Sequence, residues 1–393
     1  VTDAPTLTLA PLPQFLADPA LEAVLAVLPE ARLVGGAVRD AVAGLPVADV
    51  DLATPRRPEE VVAALKAAGL KSSPTGIDHG TVTAIAQHRG FEVTTLRRDI
   101  ATDGRRAEVA FTADWRADAA RRDFTINAMS MTPRGEVFDY FGGVADLRGG
   151  RVRFVGDPAT RIAEDYLRIL RFFRFWARYG RDEPDAAALE AIAAAMPGLD
   201  RLSTERVWSE VKRILGAPDP RATVTLMQRL GVLRVVLPEG ADPARLAALV
   251  AAGAPPDPLL RLAALLAGDP LALAERLRLS AGERDRLAAL LAAPALSSDA
   301  DAATLRRALA DVPREVLIGR AWLAGSGALA ARLAAMPMPE FPLRGRDLRL
   351  AGVPPGPEIG ARLRELRAWW LESGCTGDVR AELARRLRPS APA

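Results

Sequence analysis

Leu33-Val-Gly-Gly-Ala-Val-Arg-Asp40, followed by Asp49-Val-Asp51, sets a strand, a glycine turn, a short helix and a second strand in succession. Ala31–Val34 is apolar enough for a strand, and Gly35-Gly36 turns the chain. Ala37–Ala43 makes a short helix closed by Gly44, and Val47–Ala53 reads as a second strand. A strand's period of two sends the Asp49 and Asp51 carboxylates to one face, with Val50 and Leu52 on the other. Their Cα atoms would lie about 7 Å apart, close enough for both to lean onto one divalent ion. Gly35 and Gly36 put backbone N–H groups at a helix N-terminus, where phosphate binds, and Arg39 on the first turn can take a phosphate oxygen with Asp40 orienting it. Alone, an acidic pair at a strand end also fits a solvated edge, and Gly-Gly fits a plain tight turn. The two in succession are far more specific.

Outward from this unit, the first ~150 residues alternate strand and helix patterns, whereas the chain from Asp157 onward reads as helix after helix. Asp18-Pro19 caps a helix running toward Leu28. Thr81–Gln87 and Phe91–Thr95 form a hairpin, Arg97–Arg106 a mobile loop, Arg121–Ala128 a short helix, and Met129–Tyr140 a second hairpin. Ile162, Tyr166, Leu170 and Phe173 then recur at helical spacing, and further helices fall around Thr204–Leu215, Arg221–Leu230, Pro258–Leu266, Ala281–Leu291 and Ala302–Ala310. The fold class expected is α+β: a head with a mixed β-sheet and helices, followed by all-α segments. The division expected is 1–150, 151–217, 218–335 and 336–393.

Of the 393 residues 49% are apolar and 26% charged, which suits a folded chain of several lobes. The apolar stretches fall short of the ~18 residues a membrane span needs, so no membrane partner is expected. Val1–Ala10 does not read as a secretion signal, leaving the cytoplasm as the expected compartment. The single cysteine, Cys375, excludes an intrachain disulfide and any multi-cysteine metal site. The basic residues are nearly all arginines, which suit phosphate and nucleic acid, but a net charge of +3 does not itself decide for RNA.

Leu33–Asp40 with Asp49-Val-Asp51 resembles the first motif of the tRNA nucleotidyltransferases and bacterial poly(A) polymerases. Arg121-Arg-Asp-Phe-Thr-Ile-Asn-Ala128 is similar to that family's second motif, and Asp139-Tyr-Phe-Gly-Gly-Val-Ala-Asp-Leu147 to its hinge between head and neck. Glu164-Asp-Tyr-Leu-Arg168 resembles its nucleotide-selecting motif, and Thr204–Leu215 its last neck motif, a buttress of the nucleotide pocket. The resemblance implies a nucleotidyltransferase-type head followed by neck, body and tail. It also implies Mg²⁺ on Asp49 and Asp51, with Arg122 holding the triphosphate and Asp123, four residues from Asn127, contacting the ribose 2′-hydroxyl.

Asp165 and Arg168 lie three apart, able to project from one helix face. Cytosine and adenine each offer an amino donor beside a ring-nitrogen acceptor, whereas uracil and guanine offer the reverse. A carboxylate and a guanidinium complement the first pair, and the resemblance assigns this base reading to Asp165 and Arg168. Glu164 would position them, and Arg161 would reach phosphate.

The activity implied is addition of CCA to the tRNA 3′ end from CTP and ATP without a template. No Gly-Arg-Arg-Phe-Arg-type segment follows the acidic pair, which favours CCA over poly(A), and the Arg97–Arg106 loop resembles one that complete enzymes have and CC-only enzymes lack, with a partial CC- or A-adding enzyme kept as an alternative. A catalytically silent tRNA-binding protein is the non-enzymatic alternative. The body and tail would meet the acceptor stem and elbow, with Arg306, Arg307, Arg344, Arg346 and Arg349 as candidates. His79, Glu92 and Asp139 are left without a settled role, and oligomeric state is not readable.

Overall fold

The computed structural model describes residues 4–73, 76, 80–103, 106–181 and 183–388, with the backbone alone for 99–103 and 106–109. His79 lies outside the described residues. Two compact units divide the chain, Val1–Val235 and Val236–Ala393.

The first unit is built on a mixed sheet. Its elements in chain order are β1 (Leu7–Thr8), α1 (Pro19–Val27), β2 (Arg32–Val34), α2 (Gly36–Val42), β3 (Asp51–Thr54), α3 (Pro58–Ala67), β4 (Lys71–Ser73), β5 (Thr81–Ala86) and β6 (Arg89–Thr95). There follow β7 (Arg97–Asp103), β8 (Arg106–Phe111), α4 (Trp115–Ala120), β9 (Met129–Met131), β10 (Glu136–Asp139) and α5 (Gly143–Arg148). The sheet order is β1-β10-β9-β2-β3-β6-β5-β4, with β3 and β6 parallel and the other neighbours antiparallel. The expected cap is present, since the Asp18 carboxylate accepts from the Ala20 N–H at 2.9 Å.

Three local expectations are corrected. The second strand starts at Asp51 rather than Val47: on one side its antiparallel partner β2 ends at Val34, where Gly35 turns the chain into α2, and on the other its pairing with β6 begins at Glu92. Of the expected loop Arg97–Arg106, Arg97–Asp103 and Arg106 belong to an antiparallel ribbon, β7 with β8, while Gly104 and Arg105 lie outside the described residues. Arg121–Ala128 is not one helix: α4 ends at Ala120, and a single 3₁₀ turn covers Thr125–Asn127.

Beyond the sheet come α6 (Pro158–Glu164), α7 (Leu167–Tyr179), α8 (Ala186–Ala195), α9 (Thr204–Leu215) and α10 (Arg221–Arg229). Phe172 and Phe175 on α7 pack with Phe124, Phe172 also with Phe154 and with Phe173 on its own helix, the ring centroids of Phe124 and Phe154 lying 4.6 Å apart and of Phe124 and Phe175 5.2 Å apart. Each buried phenylalanine contributes roughly 1.5–3 kcal/mol, so this cluster pins α7 beneath the segment that carries Asp123. The second unit is helical, from Pro243–Ala251 to Val379–Leu387, around leucine-rich cores such as Leu305, Leu317, Leu329 and Leu333.

Candidate active site

A cleft of about 560 Å³ opens where the edge of β3, the start of α2, the 121–127 segment, α7 and α9 converge. Gly35, Gly36, Arg39, Asp51, Arg122, Asp123, Asn127, Asp165 and Arg168 all line it. Asp49, Arg161 and Glu164 do not.

Gly35 is required by its backbone. Its φ is +66°, and a Cβ there would sit 3.3 Å from Arg122 Nη1. The turn therefore delivers the free N–H groups of α2 next to a guanidinium, an arrangement suited to phosphate.

Asp51 opens β3 and is paired in register with Glu92 of β6, so both carboxylates leave the sheet on the same side. Burial pushes the Asp51 carboxyl up; Glu92 and Asp49 add to this and Arg122 opposes it. Asp49 acts on Asp51 through its charge from an exposed, irregular segment, not from the strand. Carboxylates gathered about Asp51 suit a bound cation. Among the described residues no three such groups form a ready metal cage. Asp139 is excluded from this set, because its carboxylate accepts from the N–H groups of Phe141, Gly142, Gly143 and Val144 at 2.9–3.1 Å and folds the hinge turn.

The opposite wall is rich in arginine, and most of it was not foreseen. Asp118, buried at the end of α4, receives Arg121 at 3.0 Å, Arg122 at 3.2 Å and the Arg97 N–H at 3.2 Å, and so sets three arginines along one rim. The opposing effect of burial is outweighed by Arg122 and Arg121, and its carboxyl is held below the ordinary range. The i,i+3 and i,i+4 spacing of Asp118 to Arg121 and Arg122 is the signal in the sequence that could have found it.

Asp123 and Asn127 are brought together, though not by a helix face: Asn127 Nδ2 donates to Asp123 Oδ1 at 3.0 Å across the 3₁₀ turn. Asp123 Oδ1 also accepts from the Phe124 N–H at 2.9 Å, and Oδ2 from Arg171 Nε at 2.6 Å. Arg39 spends its donors inside the protein, on Asn127 Oδ1 and the Tyr179 hydroxyl, each at 2.7 Å, and on Asp40 at 3.1 Å. Asp40 thus orients Arg39 as expected.

The selecting motif is arranged differently from a single helix face. Asp165 is extended, with φ −159° and ψ 108°, and its side chain accepts from the Leu167 N–H at 3.1 Å, which ends α6 and starts α7. Asp165 and Arg168 still meet at the cleft but have different partners. Asp165 Oδ2 accepts from Arg206 of α9 at 2.7 Å, whereas Glu164 holds Arg168 on one side and Arg161 on the other, the latter at 2.9 Å. Glu164 thus sits between Arg161 and Arg168. Arg161, expected to reach phosphate, does not line the cleft, and its Nε donates to the Val155 carbonyl at 3.0 Å.

Arg171, Arg174 and Arg206 complete the wall. Arg174 donates to buried Glu210 at 3.0 Å, and desolvation lowers the Arg174 guanidinium to about 10 against the pull of Glu210.

A cleft with free N–H groups, an acidic strand edge and an arginine wall is that of a nucleotidyltransferase. Residues 31–153 match the family model described as poly A polymerase head domain, and residues 183–242 match one described as a probable RNA and SrmB-binding site of polymerase A. The chain is 39% identical over 365 residues to the mitochondrial CCA tRNA nucleotidyltransferase 1 of Mus musculus, covering 88% of this chain and 83% of that protein. A crystal structure of the Bacillus stearothermophilus CCA-adding enzyme in complex with CTP superposes with a TM-score of 0.70 at 25% identity, covering 94% of this chain and 98% of that one. The Thermotoga maritima CCA-adding enzyme complexed with tRNA shares the fold, with a TM-score of 0.65 at 20% identity, covering 95% and 97%. The chain belongs to the CCA tRNA nucleotidyltransferase family. Membership carries dependence on a divalent metal ion. Among the described residues no helix is long and apolar enough to cross a membrane.

Proposed function

We propose that this chain adds CCA to the 3′ end of tRNA, taking CTP and ATP in turn without a template and releasing pyrophosphate. The observation that carries the reading is the cleft itself, where Asp51 and Glu92, the Gly35-Gly36 turn and the Asp165/Arg168 pair face one space.

In this reading Asp51 and Asp49 would hold Mg²⁺, with Glu92 beside Asp51 in register, and the ion would supply charge neutralisation and activation of the attacking 3′-hydroxyl. The N–H groups after Gly35 and Gly36, with Arg122, hold the triphosphate, and Arg121 and Arg97 continue that positive rim. Asp123, with Asn127 beside it, borders the ribose. Asp165 accepts from the exocyclic amino group of C or A while Arg168 donates to the ring nitrogen, so U and G leave both groups mismatched. Mispairing buried polar groups costs about 1–3 kcal/mol each, enough to discriminate without a template.

The functional division is head 1–150, neck 151–217, body 218–335 and tail 336–393, with the body and tail receiving the acceptor stem and elbow through shape and phosphate. Arg306 and Arg307 are spoken for in part, by the Gly374 and Ala303 carbonyls. The compartment proposed is the cytoplasm. The mitochondrial name of the mouse relative is the competing compartment, and fractionation of the tagged protein decides between them.

The test is incubation of tRNA lacking its last three nucleotides with Mg²⁺ and labelled CTP and ATP. Two C and one A, then arrest, is the expected product. Long A tracts would instead make it a poly(A) polymerase, and no incorporation a binding protein.

A further inference from the structure

Tyr179, in the last turn of α7, is buried and faces none of the substrate groups assigned above. Its hydroxyl donates to Asp40 Oδ1 at 2.5 Å and accepts from Arg39 Nε at 2.7 Å. Arg39 Nη1 reaches Asn127 Oδ1 at 2.7 Å, Asn127 reaches Asp123 at 3.0 Å, and Arg171 reaches Asp123 at 2.6 Å. Arg171 and Tyr179 belong to the same helix. The bonds therefore close a ring that leaves α7 at Tyr179, passes through α2 and the 3₁₀ turn, and returns to α7 at Arg171.

The ring joins two functions. Helix α2 begins at the glycine turn that presents N–H groups to phosphate, and α7 begins beside Asp165 and carries Arg168 in its first turn. Helices are stiff over such lengths, so fixing the far end of α7 to α2 fixes the distance between phosphate and base subsites. Burial raises the Tyr179 hydroxyl above its ordinary range in spite of Arg39, so it keeps the proton it donates to Asp40.

We infer that Tyr179 is a positioning residue for nucleotide selection, its hydroxyl coupling triphosphate placement at α2 to base reading at α7. This rests on the assignment of those two subsites made above. A nucleotide whose base pairs with Asp165 and Arg168 then has its triphosphate in register, and one whose base does not gains nothing from the ring.

Tyr179→Phe keeps the ring packing, 6.3 Å from Phe175, and the guanidinium of Arg39 over the aromatic face at 4.8 Å, and removes only the hydroxyl bonds. Expected is an approximately tenfold fall in kcat/KM for CTP and ATP with little change for UTP, so that the CTP-to-UTP ratio falls about tenfold. A purely structural hydroxyl would lower all three alike, and that outcome overturns the inference. Asp40→Asn weakens the same ring from α2, since its amide oxygen still accepts from Tyr179 but without charge, and must give the same signature in lesser degree, with the double variant no worse than Tyr179→Phe alone. It also stands in should Tyr179→Phe melt below the assay temperature. Asp165→Ala in the same assay separates the two levels. If it abolishes the CTP preference while Tyr179→Phe and Asp40→Asn keep it, the coupling alone is wrong. If Asp165→Ala leaves the preference intact, the base-reading assignment falls and the coupling with it.

Discussion

Arg206 on α9 holds the Asp165 carboxylate at 2.7 Å from 41 residues away in the chain, so the group proposed to read the base is steadied by a different helix from the one that carries its companion Arg168. Without Arg206, Asp165 would still cap Leu167 through Oδ1, but Oδ2 would be free to turn. Arg206→Ala is expected to lower kcat/KM for CTP and ATP by about tenfold, the worth of one partly exposed charge-assisted bond, and to relax rejection of UTP. Unchanged kinetics with all four nucleotides would show that Arg206 serves the packing of α9 only.

The direct test of base reading is Asp165→Ala. Loss of preference for C and A over U and G, with turnover retained, is the expected result. A variant that is slower but equally selective would move base recognition elsewhere in the cleft.

Phosphoryl transfer belongs to a different set of groups. Asp51→Ala and Asp49→Ala should abolish incorporation of both C and A while leaving tRNA affinity in a filter-binding assay nearly unchanged. Glu92→Gln should cost roughly two to three orders of magnitude in kcat, because it keeps shape but loses charge beside Asp51. Loss of A addition alone in any of the three would contradict a shared metal site.

At Gly35 the backbone sits in a region that side chains rarely adopt, and a Cβ would press on Arg122 at 3.3 Å. Gly35→Ala should therefore cost about 1–3 kcal/mol of stability. It should also raise KM for CTP and ATP together by roughly tenfold, as the turn and Arg122 shift off the phosphates. A rise for one nucleotide only would mean that the turn contacts the base.

What could be read from the sequence was whatever depends on near neighbours in the chain. The Gly-Gly turn, the Asp18 cap, the hairpin ending in β6 and helix α9 are local, and their residues declare them. Asp49 was misplaced because the pairing of β3 with both of its neighbours starts only at Asp51, which residue spacing alone does not show. Asp165 and Arg168 looked like one helix face because spacing alone does not show that an aspartate will turn its side chain onto the backbone two residues on and begin a new helix. Arg206, Arg171 and Tyr179 carried no signal of their own. Each acts on a residue far away in the chain, and only the packing of α7 and α9 against the head brings them there.

Asp123 gives a prediction that pH can read. Burial works against its charge, but Arg171 together with the bonds from Asn127, Arg171 and the Phe124 N–H outweigh it, so the folded carboxyl lies below its ordinary value. A depressed folded pKa stabilises the protein above the unfolded value of about 3.9, and that stabilisation is lost as pH falls through the folded value. Asp123→Asn removes the charge at every pH and leaves Arg171 unpaired, which should cost about 3 kcal/mol near neutrality. In urea unfolding the gap between wild type and Asp123→Asn should then stay constant from pH 7 down to about 4 and narrow only below it. A gap that closes already between pH 7 and 5 would mean that the folded carboxyl is raised instead, and that Asp123 is not the anionic anchor joining Arg171 to Asn127.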